Sequence, residues 1–197
     1  MTKAEQTRQF IIEAAAPIFN KKGYDSTSLN DVQEATKLTK GAIYGNFSDK
    51  NELAVAAFEY NCERVAVRVK TVMNEQATAS SALYAYANYF VNNWQLVFSR
   101  GGCAMMNAAI EADDHLHFLR DNVRNRMKNV MKRLQLTIEK GQQDNEFKKE
   151  ISAVEYASVI FAIMEGNILL AKTMNDPKYL QNAADRIHHL VEQELIA

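Results

Sequence analysis

Residues 28–50, SLNDVQEATKLTKGAIYGNFSDK, constrain the fold more than any other part of the chain. Ser28 and Asp31 have the spacing of a capping box, in which each side chain bonds a backbone N–H of the first helical turn. After a polar turn, Thr39 is placed to cap a second short helix. A third helix begins near Lys50, where Ser48 or Asp49 provides the cap. The stretch therefore predicts two short helices joined by a tight turn, followed by a longer helix.

The second short helix has small and hydrogen-bonding side chains instead of a broad apolar stripe. The DNA major groove is about 12 Å wide and admits a helix whose side chains are small or directed at base edges. From this pattern alone, a DNA-reading helix-turn-helix and an ordinary helical hairpin are about equally compatible with the sequence. The predicted DNA contacts are Thr27, Ser28, Thr39, Lys40, Gly41, Ala42, Tyr44, Asn46 and Lys50.

The identity of these residues resembles the signature of the TetR/AcrR family of bacterial transcriptional regulators. The matching positions are Thr27, Val32, Ala35, Leu38, Thr39, Lys40, Gly41, Ile43, Tyr44, Phe47, Lys50 and Leu53, preceded by Ile12, Ala15, Phe19, Gly23 and Tyr24. The resemblance implies a DNA-binding regulator, most often a repressor, that holds an effector in a C-terminal helical bundle. One position departs from the family pattern: Lys37 stands where the turn usually has glycine. If this residue needs a positive φ, the lysine carries a strain of about 1–2 kcal/mol.

The rest of the chain reads as helices without strand-like alternation, so the predicted fold class is all-α. We expect an N-terminal three-helix domain at residues 1–50 and a helical effector-binding and dimerisation domain at residues 51–197. A long helix over residues 49–75 joins them, and about nine helices are predicted in all. Further helices are expected at residues 80–98, 103–112, 115–140, 153–174 and 178–195.

Composition and charge constrain the predicted function less than the motif at residues 28–50 does. The net charge is −1, and residues 1–50 carry seven Lys or Arg against six Asp or Glu, so DNA affinity has to come from the placement of the lysines. The two cysteines, Cys62 and Cys103, form no C-x-x-C pattern and are interpreted as thiols of a reducing compartment. No signal-peptide pattern is present at the start, and the strongly apolar residues 157–164 are too few to span a bilayer. We predict a cytoplasmic protein without a membrane partner.

Aromatic and methionine side chains recur on four successive helices of the second region. Most such residues form ordinary core, but tyrosine, tryptophan and methionine together also suit an apolar pocket with a few polar groups. The resemblance implies such a pocket, and we expect an apolar or aromatic small-molecule effector without a cofactor. The predicted ligand-binding residues are Tyr86, Phe90, Trp94, Met105, Met106, Asn107, Phe118 and Phe161.

The last two helices carry more apolar surface than a monomer requires, which predicts a homodimer formed by a four-helix interface. Two-fold pairing places two reading heads about 34–36 Å apart, or a multiple of this, and implies a palindromic operator in double-stranded DNA. The alternative is that the surplus packs on the same chain. The predicted dimer contacts are Val159, Ile163, Leu170, Ile187, Leu190, Val191 and Leu195.

Two other function classes remain open from the sequence. The acidic and histidine residues at 111–117, together with Glu165, loosely resemble the carboxylate-histidine spacing of di-iron helical bundles, which would make the chain a metal-dependent enzyme. Asp113 and Asp114 are explained more simply as helix-capping residues. A structural adaptor with a vestigial helix-turn-helix is the third class, and the presence of Lys40, Tyr44 and Lys50 argues against it. The basic residues between Arg120 and Arg133 form either a solvated face or a contact for an acidic effector.

Overall fold

The computed structural model describes residues 1–197 and contains ten α-helices with a short π-helical turn at the end. The helices are α1 (Lys3–Lys22), α2 (Leu29–Thr36), α3 (Lys40–Tyr44), α4 (Lys50–Asn74), α5 (Ala79–Asn92), α6 (Trp94–Ser99), α7 (Ala104–Asp114), α8 (His117–Gln143), α9 (Ala153–Thr173) and α10 (Lys178–Leu190). The π turn covers Val191–Leu195, and the only β-type pairing is an isolated bridge between Phe147 and Ile196. The all-α prediction is confirmed.

The chain divides into two compact units that are not two consecutive halves. The first unit contains Met1–Arg64 and Ala104–Arg126, and the second contains Val65–Cys103 and Met127–Ala197. Both α4 and α8 therefore contribute residues to each unit. The predicted boundary at residue 50 does not mark this division, because the first unit also includes the start of α4, all of α7 and the start of α8.

The first unit is built around the end of α1. A capping box of Thr2 and Glu5 begins this helix, and Gly23, with φ of 100°, ends it. Directly after this stop, the fully buried ring of Tyr24 stacks on Phe19 at 5.6 Å and meets Phe58 of α4 edge-on at 6.2 Å. Aromatic pairs at these distances add to the stability gained by burial. Tyr24, which directly follows the C-terminal end of α1 at Gly23, thus lies at the centre of the core against which α2 and α3 pack.

The second unit packs α10 against α5 and α9. The Glu146 carboxylate accepts hydrogen bonds from the backbone N–H groups of Ala79 (2.7 Å) and Ser80 (2.8 Å), so it caps α5 from 66 residues away. The single helix predicted over residues 80–98 is wrong: it is divided at Asn93, whose side-chain amide donates to the Tyr89 carbonyl and ends α5. This extra break accounts for ten helices in place of about nine.

Candidate nucleic-acid interface

The helix-turn-helix forms as its capping residues predict. Ser28 accepts a hydrogen bond from the Asp31 N–H while the Asp31 carboxylate accepts one from the Ser28 N–H, which completes the capping box of α2. Lys22 on α1 also donates to both oxygens of Asp31 at 2.7–2.8 Å. These hydrogen bonds, with that of Lys22 the strongest cause, lower the pKa of Asp31 from 3.8 to about 2 and keep the capping carboxylate ionised.

The turn between α2 and α3 requires a left-handed residue, and that residue is Lys37. Its φ of 59° and ψ of 19° place it in the left-handed helical region, where its N–H caps α2 by donating to the Gln33 carbonyl. An L-residue other than glycine pays about 1–2 kcal/mol in this conformation. The turn thus keeps its ordinary geometry despite the lysine, and the strain is carried by the exposed Lys37 backbone.

The α3 helix presents a small, polar surface to solvent. Lys40, Gly41 and Tyr44 are exposed, whereas Ile43 points into the core. A Cβ added at Gly41 would meet no atom within 4 Å, so this position is open to close approach. The Lys40 ammonium lies 5.8 Å from the centre of the Tyr44 ring, within cation–π range. Thr39 caps the helix by accepting from the Ala42 N–H at 3.2 Å.

Several predicted DNA contacts have partners within the protein. Thr27 is fully buried, and its hydroxyl and N–H both donate to the Gly23 carbonyl, so its prediction as a DNA contact is corrected to a structural role. The Ser28 hydroxyl is held in the capping box, and the half-buried Asn46 amide donates to the Ala42 carbonyl at 2.9 Å. Lys50 donates to the Asp25 carbonyl at 2.7 Å; an ammonium has three donors, so this bond leaves it able to contact phosphate.

Arg8 was not predicted as a functional residue, yet it contacts the turn that follows α3. Its guanidinium lies 4.1 Å from the Phe47 ring centre, donates to the Asn46 carbonyl at the end of α3, and pairs with Glu52 of α4 at 2.7 Å. The Ser48 N–H, followed by Arg8, lowers the pKa of Glu52 from 4.5 to about 2. These contacts link α1, α3 and α4. They are invisible in sequence because Arg8 and Glu52 are 44 residues apart.

The end of α1 is held by α7, which sequence reasoning also missed. Both carboxylate oxygens of Glu111 accept backbone hydrogen bonds, from the Tyr24 N–H at 2.9 Å and the Asp25 N–H at 2.8 Å. One helical turn earlier, the Asn107 amide donates to the carbonyl and the side-chain oxygen of Asn20, both at 3.0 Å. The i, i+4 spacing of Asn107 and Glu111 puts both on one face of α7. Asn107 thus has a structural role in the first unit, and its contact with a ligand stays a prediction.

The other predicted ligand residues are divided between the units. The second unit contains Tyr86, Phe90, Trp94 and Phe161, and the first contains Met105, Met106 and Phe118. Tyr86 and Phe90 are buried and meet edge-on at 5.7 Å. The metal reading of residues 111–117 has no support in the geometry, because no three His, Cys, Asp or Glu side chains are close enough to hold an ion. Glu111 binds backbone N–H groups, and the His117 ring contacts Arg120 at 2.7 Å.

The predicted dimer contacts differ in their exposure. Val159 and Leu170 on α9 are exposed and Ile163 is half-buried. The four C-terminal residues, in contrast, lie in the core of their own chain and have at most 2% of their surface exposed, so they are corrected to core positions: Ile187, Leu190, Val191 and Leu195. Exposed apolar residues are concentrated on α9, which also has Val154 and Leu169 exposed and is followed by the exposed Met174.

Capped short helices, a tight turn with its left-handed residue and an exposed small-residue helix define a helix-turn-helix DNA-binding protein. Two family models match the chain: "Bacterial regulatory proteins, tetR family" over residues 11–57, and "Tetracyclin repressor-like, C-terminal domain" over residues 79–187. The second match alone covers more than half of the chain. The protein belongs to the TetR family of transcriptional regulators, a non-enzymatic DNA-binding family.

Three of the similar proteins match over nearly the full length of the chain. A TetR-family regulator from Cytophaga hutchinsonii superposes with a TM-score of 0.92 at 36% identity, covering 98% of this chain and 96% of that one. A second, from Chloroflexus aurantiacus J-10-FL, has a TM-score of 0.92 at 31% identity with complete coverage of both chains. The uncharacterized HTH-type regulator YxaF of Bacillus subtilis is 25% identical over 195 residues, 98% of this chain and all of that protein. The regulator AcrR of Shigella flexneri matches at 43% over only 51 residues, 26% of this chain and 24% of AcrR.

Proposed function

We propose that the protein is a cytoplasmic repressor that binds a palindromic operator as a homodimer and is released by a small apolar or aromatic effector. The observation that carries the DNA-binding part is the exposed face of α3. There Lys40 and Tyr44 flank Gly41, a position at which nothing in the protein prevents the backbone from approaching the groove floor. In this proposal Lys37, Lys40 and Lys50 contact phosphates or bases, which positions the helix and supplies the salt-dependent part of the affinity.

The DNA-binding proposal is tested by selecting operators from random double-stranded oligonucleotides and measuring their affinity at several salt concentrations. Lys40→Ala is expected to weaken binding and, if the lysine contacts a phosphate, to reduce the salt slope by about one unit. Lys149→Ala, an exposed lysine of the second unit, is the matched control and should bind as the wild type does. Failure to select any palindromic sequence would reject the proposal.

Substitution of Gly41 distinguishes an effect on DNA binding from an effect on folding. Gly41→Ala removes a glycine from a helix with no clash, so stability is expected to rise by about 0.5–1 kcal/mol. If the α3 backbone lies against the bases, the same methyl group should reduce operator affinity at least about tenfold, or 1.4 kcal/mol. A variant that is more stable and binds the operator normally would show that α3 does not approach the groove at this position.

The homodimer is proposed through the uncovered face of α9. This helix has 21 residues and, judged by length and mean hydropathy alone, is apolar enough to cross a membrane. Its residues Ile160, Met164 and Ile168 are instead buried in the second unit, so only the opposite side needs a cover. That side combines exposed Leu169 and Leu170 with the small residues Ala162 and Gly166, which permit close approach of a second helix.

Sedimentation at micromolar concentration tests the dimer. We expect the wild type to be dimeric and Leu170→Glu to be monomeric, since the charge would be buried in an apolar interface. Val67→Glu changes an equally exposed apolar residue on α4 and should leave the dimer intact. A monomeric wild type would remove the dimer and the expectation of a palindromic operator together.

The effector response is proposed to act through α4 and α8, because each helix supplies residues to both units. A ligand alters DNA affinity only by its different affinities for the two states of the protein, and a tenfold loss requires about 1.4 kcal/mol of that difference. The predicted ligand residues of the second unit are Tyr86, Phe90, Trp94 and Phe161. Titrating apolar and aromatic compounds into the protein–operator complex tests the response, and the absence of any response would reject it.

A further inference from the structure

A carboxyl group without a complete set of partners lies in the interior of the second unit. Glu165, near the middle of α9, has only 5% of its surface exposed. Its side chain is hydrogen-bonded by the Cys103 thiol, and its second oxygen, Oε2, has no hydrogen-bond partner. Buried polar atoms are almost always paired, since leaving one unpaired is costly. A group of this kind that persists in a folded protein calls for an external partner.

The surroundings of Glu165 are aromatic and apolar. Phe161 and Met164 beside it on α9 are buried, and the buried Tyr86 ring of α5 is close enough for its pKa to be raised by Glu165, after the larger effect of burial itself. Phe90 meets Tyr86 edge-on. Tyr86, Phe90 and Phe161 are three of the residues expected on sequence grounds to contact an effector. Glu165 is linked to them by its electrostatic effect on Tyr86 and by its position one helical turn after Phe161 on α9.

The connection between α6 and α7 reaches this carboxyl through Cys103. Cys103 is half-exposed while its thiol reaches Glu165. The two residues before it, Gly101 and Gly102, have φ values of 100° and 88°, a left-handed backbone that glycine adopts readily. The thiol that bonds Glu165 is thus carried by a connection whose backbone depends on two glycines.

We propose that Glu165 is the polar anchor of the effector site and that Oε2 accepts an N–H donor from a protonated amine carried on an aromatic or apolar body. This inference rests on the proposed effector response and specifies the chemical class of its ligand. A cation with an N–H donor satisfies the unpaired oxygen and the charge together, whereas a neutral hydrocarbon satisfies neither. The aromatic rings of Tyr86 and Phe90 suit the organic body and add cation–π attraction.

Binding of such an amine is coupled to a proton. Burial raises the pKa of Glu165 from 4.5 to about 7, so the carboxyl is partly protonated near neutrality and has to ionise to pair with the cation. Affinity should therefore increase as the pH rises from about 6 to about 8 and then level off. The other titratable or charged groups on these elements are Tyr84, Tyr86 and Tyr89 on α5, Cys103 before α7, Glu155, Tyr156 and Lys172 on α9, and Lys178, Tyr179, Asp185, Arg186, His188 and His189 on α10.

The test uses two probes of the same shape, 2-(2-naphthyl)ethylamine and the hydrocarbon 2-propylnaphthalene, with affinities measured by calorimetry or ligand-induced fluorescence change on the full-length protein. The amine should bind the wild type at least about tenfold more tightly than the hydrocarbon. E165Q keeps the size of the side chain and removes its charge, so it should lose this preference and the pH dependence while binding the hydrocarbon unchanged. E155Q, an exposed carboxyl on the same helix, is the matched control and should behave as wild type.

The outcomes are separable from the proposed function. Equal binding of the amine to E165Q and wild type, no preference for the amine, or no binding of either probe would overturn the assignment of Glu165. Operator binding by the ligand-free protein tests the regulator independently, and E165Q should retain it. An amine that binds through Glu165 but leaves the operator complex intact would support the site and reject its role in releasing DNA.

Discussion

The contact between Glu111 and the end of α1 leads to a quantitative prediction for stability. Glu111→Ala removes the acceptor of two backbone hydrogen bonds, from Tyr24 at 2.9 Å and from Asp25 at 2.8 Å. Hydrogen bonds to a charged group contribute about 1.5–3 kcal/mol each. Asp25 is exposed, so water can replace its lost partner at little cost, whereas the fully buried Tyr24 loses a partner that water replaces poorly. We expect a total loss of about 2–4 kcal/mol.

A graded series makes the prediction sharper. Glu111→Gln keeps one acceptor oxygen but places an NH2 group against the second N–H, so its cost should be about half that of the alanine variant. For a chain of this length, 1 kcal/mol lowers the melting temperature by about 2–4 °C, which gives a decrease of about 4–16 °C for alanine. The measurement is urea and thermal unfolding followed by circular dichroism at pH 7.

The control is Glu13→Ala, which removes only an exposed hydrogen bond from Gln9 on the same helix α1. This variant should stay within about 0.5 kcal/mol of wild type. If Glu111→Ala is as stable as Glu13→Ala, the two hydrogen bonds do not hold the end of α1, and the reasoning that places α7 in the first unit loses its energetic basis.

Three further substitutions test other parts of the structure by the same unfolding measurements. Lys37→Gly removes the strain of a lysine in the left-handed region, about 1–2 kcal/mol, but gives the unfolded chain more conformational freedom. We therefore expect a net gain in stability of about 0.5–1 kcal/mol; a loss of stability would mean that the lysine side chain contributes to the fold. Gly141→Ala would place its Cβ 2.6 Å from Cε2 of the buried Phe147 ring and should lower the free energy of unfolding by at least about 2 kcal/mol. Gly41→Ala is the control, because its new methyl group enters open space; equal stabilities of the two variants would refute the packing argument. Glu165→Gln should flatten the pH dependence of stability. The pKa of this acid is about 7 in the folded state and 4.5 in the unfolded state, so the folded state loses its advantage in binding the proton as the pH rises. The free energy of unfolding of the wild type should therefore fall by about 3 kcal/mol relative to that of the variant between pH 4.5 and 7. A constant difference between the two proteins would contradict the burial of an ionisable group.

The uncovered face of α9 illustrates why a dimer surface is hard to read from sequence. The helical pattern identified surplus apolar residues on the last two helices, and it placed Leu190 and Leu170 in the same class. The structure separates them, since Leu190 is buried within its own chain and Leu170 is exposed. Periodicity reports which residues share a face of a helix but not which neighbour covers that face. The proposed interface therefore shifts from both helices to α9.

In the candidate DNA surface too, the sequence pattern did not distinguish buried residues from exposed ones. Thr27 and Lys40 match the family signature equally well, and nothing in their residue types separates a core hydroxyl from an exposed ammonium. Thr27 proved to be fully buried against Gly23, while Lys40 lies on the exposed side of α3. A signature position is retained for folding or for binding, and only the three-dimensional structure distinguishes the two.

The sequence by itself determined the features that depend on neighbours three or four residues away. The capping box of Ser28 and Asp31, the turn near Lys37 and the cap at Thr39 are all of this kind, because helix ends satisfy their free N–H and C=O groups locally. Together with the apolar periodicity, these signals were enough for the fold class and the helix-turn-helix.

Only the tertiary structure decided which distant groups meet. Glu111 binds Tyr24 across 87 residues, Arg8 joins Glu52 across 44, and Glu165 retains an unpaired oxygen in the interior of the second unit. Each depends on the path of the whole chain, since a carboxylate can pair with any donor that the fold brings within about 3 Å. The physical reason is that local hydrogen bonds are fixed by backbone geometry, whereas long-range pairs are fixed by how the apolar faces of all the helices pack together.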